Sequence, residues 1–213
     1  MKFIKVIFLC LVFSYQGNLV YASSNSSSQG TAGADDMSRL KNYVEDLIKK
    51  AYNIVNDSKL SGDVKVKRSS DLLWANLHLG EMARYTLGRH KKGLSAAKIK
   101  EFTDVYSRFV VQAYASLVRD YSNEQAIVKN IKKVDKDMYI INTELVRPDS
   151  PDPVMVDYLV YKVGNGFKVM DIITENVSIL NSQQSEFDNA LSNPDQGIDW
   201  LINDLRQKEK AKE

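Results

Sequence analysis

From Leu40 onward, apolar positions return every three or four residues: Leu40, Tyr43, Val44, Leu47, Ile48, Ala51 and Val55. That spacing lays one stripe along an amphipathic helix from about Met37 to Asn56. Ser58 to Arg68 is polar and punctuated by Gly62, so it reads as a connection. Asp71 to Gly88 predicts one or two short helices, broken around Leu77 to Gly80. Gly88 suits a left-handed helix end. Ser95 stands where the N-cap of the longest helix should be, and that helix runs from about Ala96 to Asp120. Its stripe is Ile99, Phe102, Tyr106, Phe109, Val110, Tyr114, Leu117 and Tyr121.

The period then changes from helix to strand. Ile127–Val134, Met138–Val146, Val154–Val163 and Phe167–Thr174 are β-branched and aromatic runs. Asp135 to Asp137, the loop Pro148 to Pro153, and Gly164-Asn165-Gly166 separate them, and Asn165-Gly166 is a strong hairpin signal. Such short connections predict an antiparallel meander of four strands. In the third run, Val154, Val156, Tyr158 and Val160 share one face, while Met155, Leu159 and Tyr161 flank Asp157 on the other. A sheet wetted on one side alternates more cleanly, so both faces are expected to be covered. Two helices, about Val177–Leu191 and Ile198–Lys208, close the chain. The expected class is α+β: a single domain with a four-stranded antiparallel sheet covered by helices. The covering is either all protein or protein enclosing an apolar pocket.

The ends change the charge picture. Lys2 and Lys5 precede an apolar run from Phe3 to Phe13, and Val20-Tyr21-Ala22 fits a cleavage site. Residues 1–22 therefore read as a secretory signal peptide, the apolar run being shorter than the ~20 residues a membrane span needs. Residues 23–36, rich in Ser, Gly, Ala and Asn, read as a flexible tether, and residues 37–213 as the folded domain. The chain has 29 Lys and Arg against 27 Asp and Glu, and loss of Lys2 and Lys5 makes the two equal. A general nucleic-acid footprint is absent. The single cysteine, Cys10, leaves with the signal, so no disulfide or thiolate chemistry is expected of the mature chain.

Phosphate-binding, dinucleotide, nucleophile-elbow and zinc-protease motifs are all missing. His78 and His90 have no acidic cluster beside them, so no metal site is expected. Asp157 and Asp171 fall in neighbouring predicted strands, where a structural hydrogen-bonding role outweighs a catalytic pair. The turn Arg89-His90-Lys91-Lys92 is either a solvated turn or a contact for an anionic surface. No cofactor is implied. The tyrosines are suggestive, because an apolar ring with a polar tip suits a cavity with a wet mouth.

"LGEMARYTLGRH", then Ser95 and a long helix ending "FVVQAYASLVRDYS", resembles the Mla-type periplasmic phospholipid-binding proteins, the MlaC-like toluene-tolerance or ABC-transporter auxiliary family. "FKVMDIITENVSIL", "QQSEF" and "GIDWLINDL" follow in that family's order, so the resemblance spans about Asp71 to Arg206. The chain departs from the family pattern at Leu77-His78-Leu79, at His90-Lys91 and at Asn176. The resemblance implies a non-enzymatic periplasmic carrier that encloses phospholipid acyl chains in an apolar pocket. It implies as partners an outer-membrane lipoprotein complex and an inner-membrane MCE-type ABC transporter complex. The expected acyl-chain contacts are Met82 and Leu87, then Phe102, Tyr106, Phe109, Val110 and Tyr114 of the long helix. The sheet adds Tyr139, Val156, Tyr158, Val160 and Ile173. Two other classes stay open: a secreted interaction domain with a filled core, and a hydrolase built from scattered polar residues.

Overall fold

A computed structural model describes residues 31–120, 125–147 and 150–211. The expected signal peptide, residues 23–30 of the expected tether, Tyr121 and Pro148 lie outside the described residues. The chain runs α1 (Thr31–Asn56), α2 (Gly62–Asn76), α3 (Leu79–Thr86), a 3₁₀ turn (Gly88–Gly93) and α4 (Ala96–Ser116). A second 3₁₀ turn (Leu117–Asp120) leads to strands β1 (Gln125–Asp135), β2 (Met138–Arg147), β3 (Ser150–Val163), β4 (Gly166–Thr174) and β5 (Val177–Ser178). Helices α5 (Ile179–Ser192) and α6 (Gly197–Lys210) follow. The strands form one antiparallel sheet in the order β1-β2-β3-β4-β5.

Four differences from the sequence reading have local causes. The sheet has five strands rather than four, because Glu175 and Asn176 both take positive φ and turn the chain back for a two-residue β5. Helix α1 begins at Thr31, inside the expected tether. Its first turns are held when Lys162 of β3 donates to the Asp36 carboxylate at 2.7 Å and Arg39 donates to the Asn165 carbonyl. Helix α2 begins at Gly62 within the polar connection, because the Ser61 hydroxyl accepts from the Val64 amide and caps it. Strand β3 begins at Ser150, ahead of Pro151 and Pro153, beside an irregularity in β2 between Leu145 and Arg147 where proline's missing donor is tolerated.

Other signals act as read. Ser95 accepts from the Lys98 amide and starts α4. Gly88 ends α3 at φ +50°, a conformation that L side chains rarely adopt. In the β3–β4 hairpin the positive φ falls on Gly164, so the two-residue turn is Gly164-Asn165 and Gly166 already pairs with Val163. Leu77 and His78 break the helices where expected, and the His78 amide donates to the Val169 carbonyl at 2.8 Å, stitching this break to β4.

The aromatic stripe of α4 turns toward α5. Phe102 stacks on Tyr106 with ring centroids 5.8 Å apart, and Phe187 meets both edge-on at 6.0 and 6.2 Å. Fully burying each such ring contributes about 1.5–3 kcal/mol. These rings fill the space between α4 and α5.

Candidate functional site

The opposite layer is packed differently. Helix α1 lies over the sheet with Tyr43, Val44, Leu47, Ile48 and Val55 turned inward, and α2 adds Leu72, Leu73 and Asn76. Pairing of Ile141 with Tyr158, and of Tyr158 with Ile172, sets these three side chains in one row across β2, β3 and β4. Leu145, Val160 and Val169 extend that face. Between helices and sheet lies a cavity of about 380 Å³. Ala51 and Tyr52 on its wall are exposed, so it reaches solvent beside the second half of α1.

No lining side chain among the described residues is charged at neutral pH. The Tyr43 hydroxyl donates to Asn76 Oδ1 at 3.0 Å, and Asn76 Nδ2 donates to the Leu72 carbonyl at 2.7 Å, so the amide is satisfied at both ends. Burial pushes the Tyr43 phenol up to about 12. Burial also raises Tyr158, against a smaller opposing effect of its hydrogen bond with Thr143. Both phenols therefore stay neutral. The wall offers no nucleophile, general base or cation; it can exclude water from an apolar ligand.

The MlaC protein family's sequence profile matches residues 45–207. The chain belongs to the MlaC family. The match begins within α1, takes in α2, the sheet and α5, and ends within α6, so most of the cavity wall falls inside it. Among curated proteins, the intermembrane phospholipid transport system binding protein MlaC of Haemophilus influenzae is 27% identical over 160 residues, covering 71% of this chain and 72% of that protein. Among solved structures, a phospholipid-binding protein from Ralstonia solanacearum, in complex with a phospholipid, shares the fold with a TM-score of 0.65. The alignment covers 82% of this chain and 97% of that one at 18% identity.

Two of the residues expected from this MlaC-like sequence to meet acyl chain, Tyr158 and Val160, line the cavity. Met82, Leu87, Phe102, Tyr106, Phe109 and Val110 are buried in the hydrophobic core and do not line this cavity. The Tyr106 hydroxyl donates to Gln183 Oε1 at 2.6 Å, and burial holds its phenol well above the usual range. Tyr114 is partly buried against the same cluster, where burial raises its phenol too. Tyr139 is fully buried and meets Phe167 edge-on at 6.1 Å. Val156 is buried on the cavity face of β3 without reaching the void, whereas Ile173 pairs with Asp157 on the opposite face. What the reading of this MlaC relative missed is the contribution of α1 and α2. The α1 stripe was visible in the sequence, but nothing in a stripe says whether it faces side chains or a void.

The remaining candidates have structural partners. Asp171 is buried and accepts from the Ile172 amide, the Leu180 amide and the Ser178 hydroxyl, which fixes the start of α5 to β4. Burial raises its carboxyl despite those bonds. His90 Nε2 lies 2.8 Å from Asp188 Oδ1, and Arg89 Nε lies 3.1 Å from the same oxygen, so half of the basic turn is tied to α5. Among the described residues, no group of three or more His, Cys, Asp or Glu is placed to hold a metal ion. No described helix is long and apolar enough to cross a membrane.

Proposed function

We propose that this chain is an exported, non-enzymatic phospholipid carrier that takes lipid across the aqueous space between two membranes. The observation that carries the reading is the uncharged cavity between α1, α2 and the sheet in a chain of the MlaC family. Exposing one 16-carbon chain to water costs about 12 kcal/mol at ~0.8 per methylene. A cavity that replaces the bilayer interior removes most of that cost, and it needs no catalyst. Such a container is indifferent to direction, so direction has to come from partners. The partners proposed here are an outer-membrane lipoprotein complex at one end and an inner-membrane MCE-type ABC transporter at the other, with the carrier working in the periplasm and sustaining outer-membrane lipid asymmetry. A filled-core interaction domain is disfavoured by the void, and a hydrolase by the uncharged wall.

The test is to purify the exported protein without detergent and extract it with organic solvent. Phosphorus-containing lipid near one equivalent per chain is expected. Repeated preparations without lipid, from protein that melts cooperatively, would sink the carrier reading.

A further inference from the structure

The face of β3 turned away from the cavity carries a second recess, lined by residues of another kind. We propose that this recess is a docking site for an acidic segment of a partner protein, an inference that does not depend on what the cavity carries.

Tyr161 follows the cavity-lining Val160 along β3, so strand alternation turns it to the other side of the sheet. There Tyr161 and Met170 form the sheet side of the recess, His78, Arg84 and Tyr85 the α3 side, and Lys91 of the 3₁₀ turn closes it. The His78 and Tyr161 rings meet edge-on at 6.5 Å. The recess stands back to back with the cavity. Leu77 and Val169 line the cavity and bridge one another, while the next residue of each, His78 and Met170, lines the recess. A partner seated here leaves the cavity mouth beside Ala51 and Tyr52 free. His78 and Lys91 both stand where the chain departs from the family's sequence pattern, so the site belongs to this chain in particular.

Charge decides the occupant. Arg84 is answered by Glu81 one turn earlier in α3. A second acid, Asp135, lies near Tyr161, whose phenol is raised by burial first and by that carboxylate next; Asp135 itself accepts from the Lys136 amide at 2.6 Å. In the basic turn, Arg89 and His90 are drawn to Asp188, at 3.1 and 2.8 Å. Among the described residues no carboxylate pairs with Lys91 or Lys92, and Lys91 reaches the recess. Lys168, opposite Tyr161 in the sheet, donates to the Ala75 carbonyl, a neutral acceptor, and so adds another cation without a counter-charge. The surroundings are short of negative charge, and complementary charge is what steers and registers a partner. The tyrosine rings offer apolar support to whatever carries the carboxylates. A bilayer surface is flat and does not follow a recess; an acidic loop or chain end enters one.

The experiment is a titration of acetylated hexaglutamate into the full exported chain at neutral pH, followed by NMR of the imidazoles. The chain has two histidines, so His78 reports on the recess and His90, held by Asp188, serves as the internal reference. Saturable movement of the His78 signals is expected, with an affinity that falls about fivefold between roughly 50 and 300 mM NaCl because exposed charges are screened. Lys91→Gln should weaken binding about fivefold with an unchanged melting temperature, whereas Lys49→Gln on α1, across the sheet, should leave binding as it was. Equal losses in both variants, or equal binding of hexaglutamine, would overturn the site as unspecific attraction. Vesicles of phosphatidylcholine and phosphatidylglycerol that move the His78 signals where the peptide does not would replace the protein partner with a membrane. Inorganic phosphate that saturates the shift and is not displaced by peptide would reduce the site to a small-anion pocket. Unmoved His78 signals with every probe would overturn the proposal outright.

Discussion

Val156 and Val160 are two steps apart on the same face of β3, and both are buried, at 7% and 0% exposure. Only Val160 borders the void. The pair makes a controlled comparison of empty and occupied surroundings. Enlarging a side chain in a filled core typically costs 1–3 kcal/mol through forced rotamers and backbone shifts. Val156→Trp should therefore lower the melting temperature of the lipid-free protein by an amount in that range. Val160→Trp has space to enter, so it should cost under about 1 kcal/mol and displace lipid. Thermal melts paired with lipid stoichiometry check both, and equal destabilisation with unchanged lipid content would show that the indole finds no room.

At the level of elements, an ion pair fastens the start of α1 to β3. The Asp36 carboxyl is held below its usual range chiefly by the hydrogen bond from Lys162, and the same bond holds Lys162 above its usual range. A depressed carboxyl adds stability that is complete above its unfolded value, ~3.9, and lost as pH falls through the folded value. A raised ammonium adds stability that is complete below ~10.4 and lost as pH rises through its own folded value. Lys162→Met keeps the apolar stem and removes the charge. It should lower the melting temperature at pH 7, and its gap from the parent should narrow below pH ~4 and above pH ~11. A gap of constant size from pH 3 to 7 would show that the pair is energetically silent. Most elements were legible beforehand because each rests on a local device: the Ser95 cap, the break at Leu77-His78, the glycine turn before β4. Those that were misjudged depend on distant partners. The early start of α1 depends on Lys162, and β5 depends on two non-glycine residues accepting positive φ. The cavity was legible only by half. Tyr158 and Val160 could be named from strand alternation, while a helix stripe looks the same over a void as over a core.

Across the whole molecule, the first described helix is joined to a much later strand: Asp36 and Lys162 are 126 residues apart. Among its described residues, α1 buries Leu40 and Val44. Helix α4 buries eight residues between Phe102 and Ala115. Native-state hydrogen exchange should accordingly show α1 opening at lower free energy than α4, and equal protection of the two helices would contradict this order. A molecule in which α1 docks last completes its aromatic half while the cavity still lacks its outer wall. Such a molecule passes through a stage in which its apolar trough is open along its length. On the carrier reading proposed above, that window is when a first occupant is folded around.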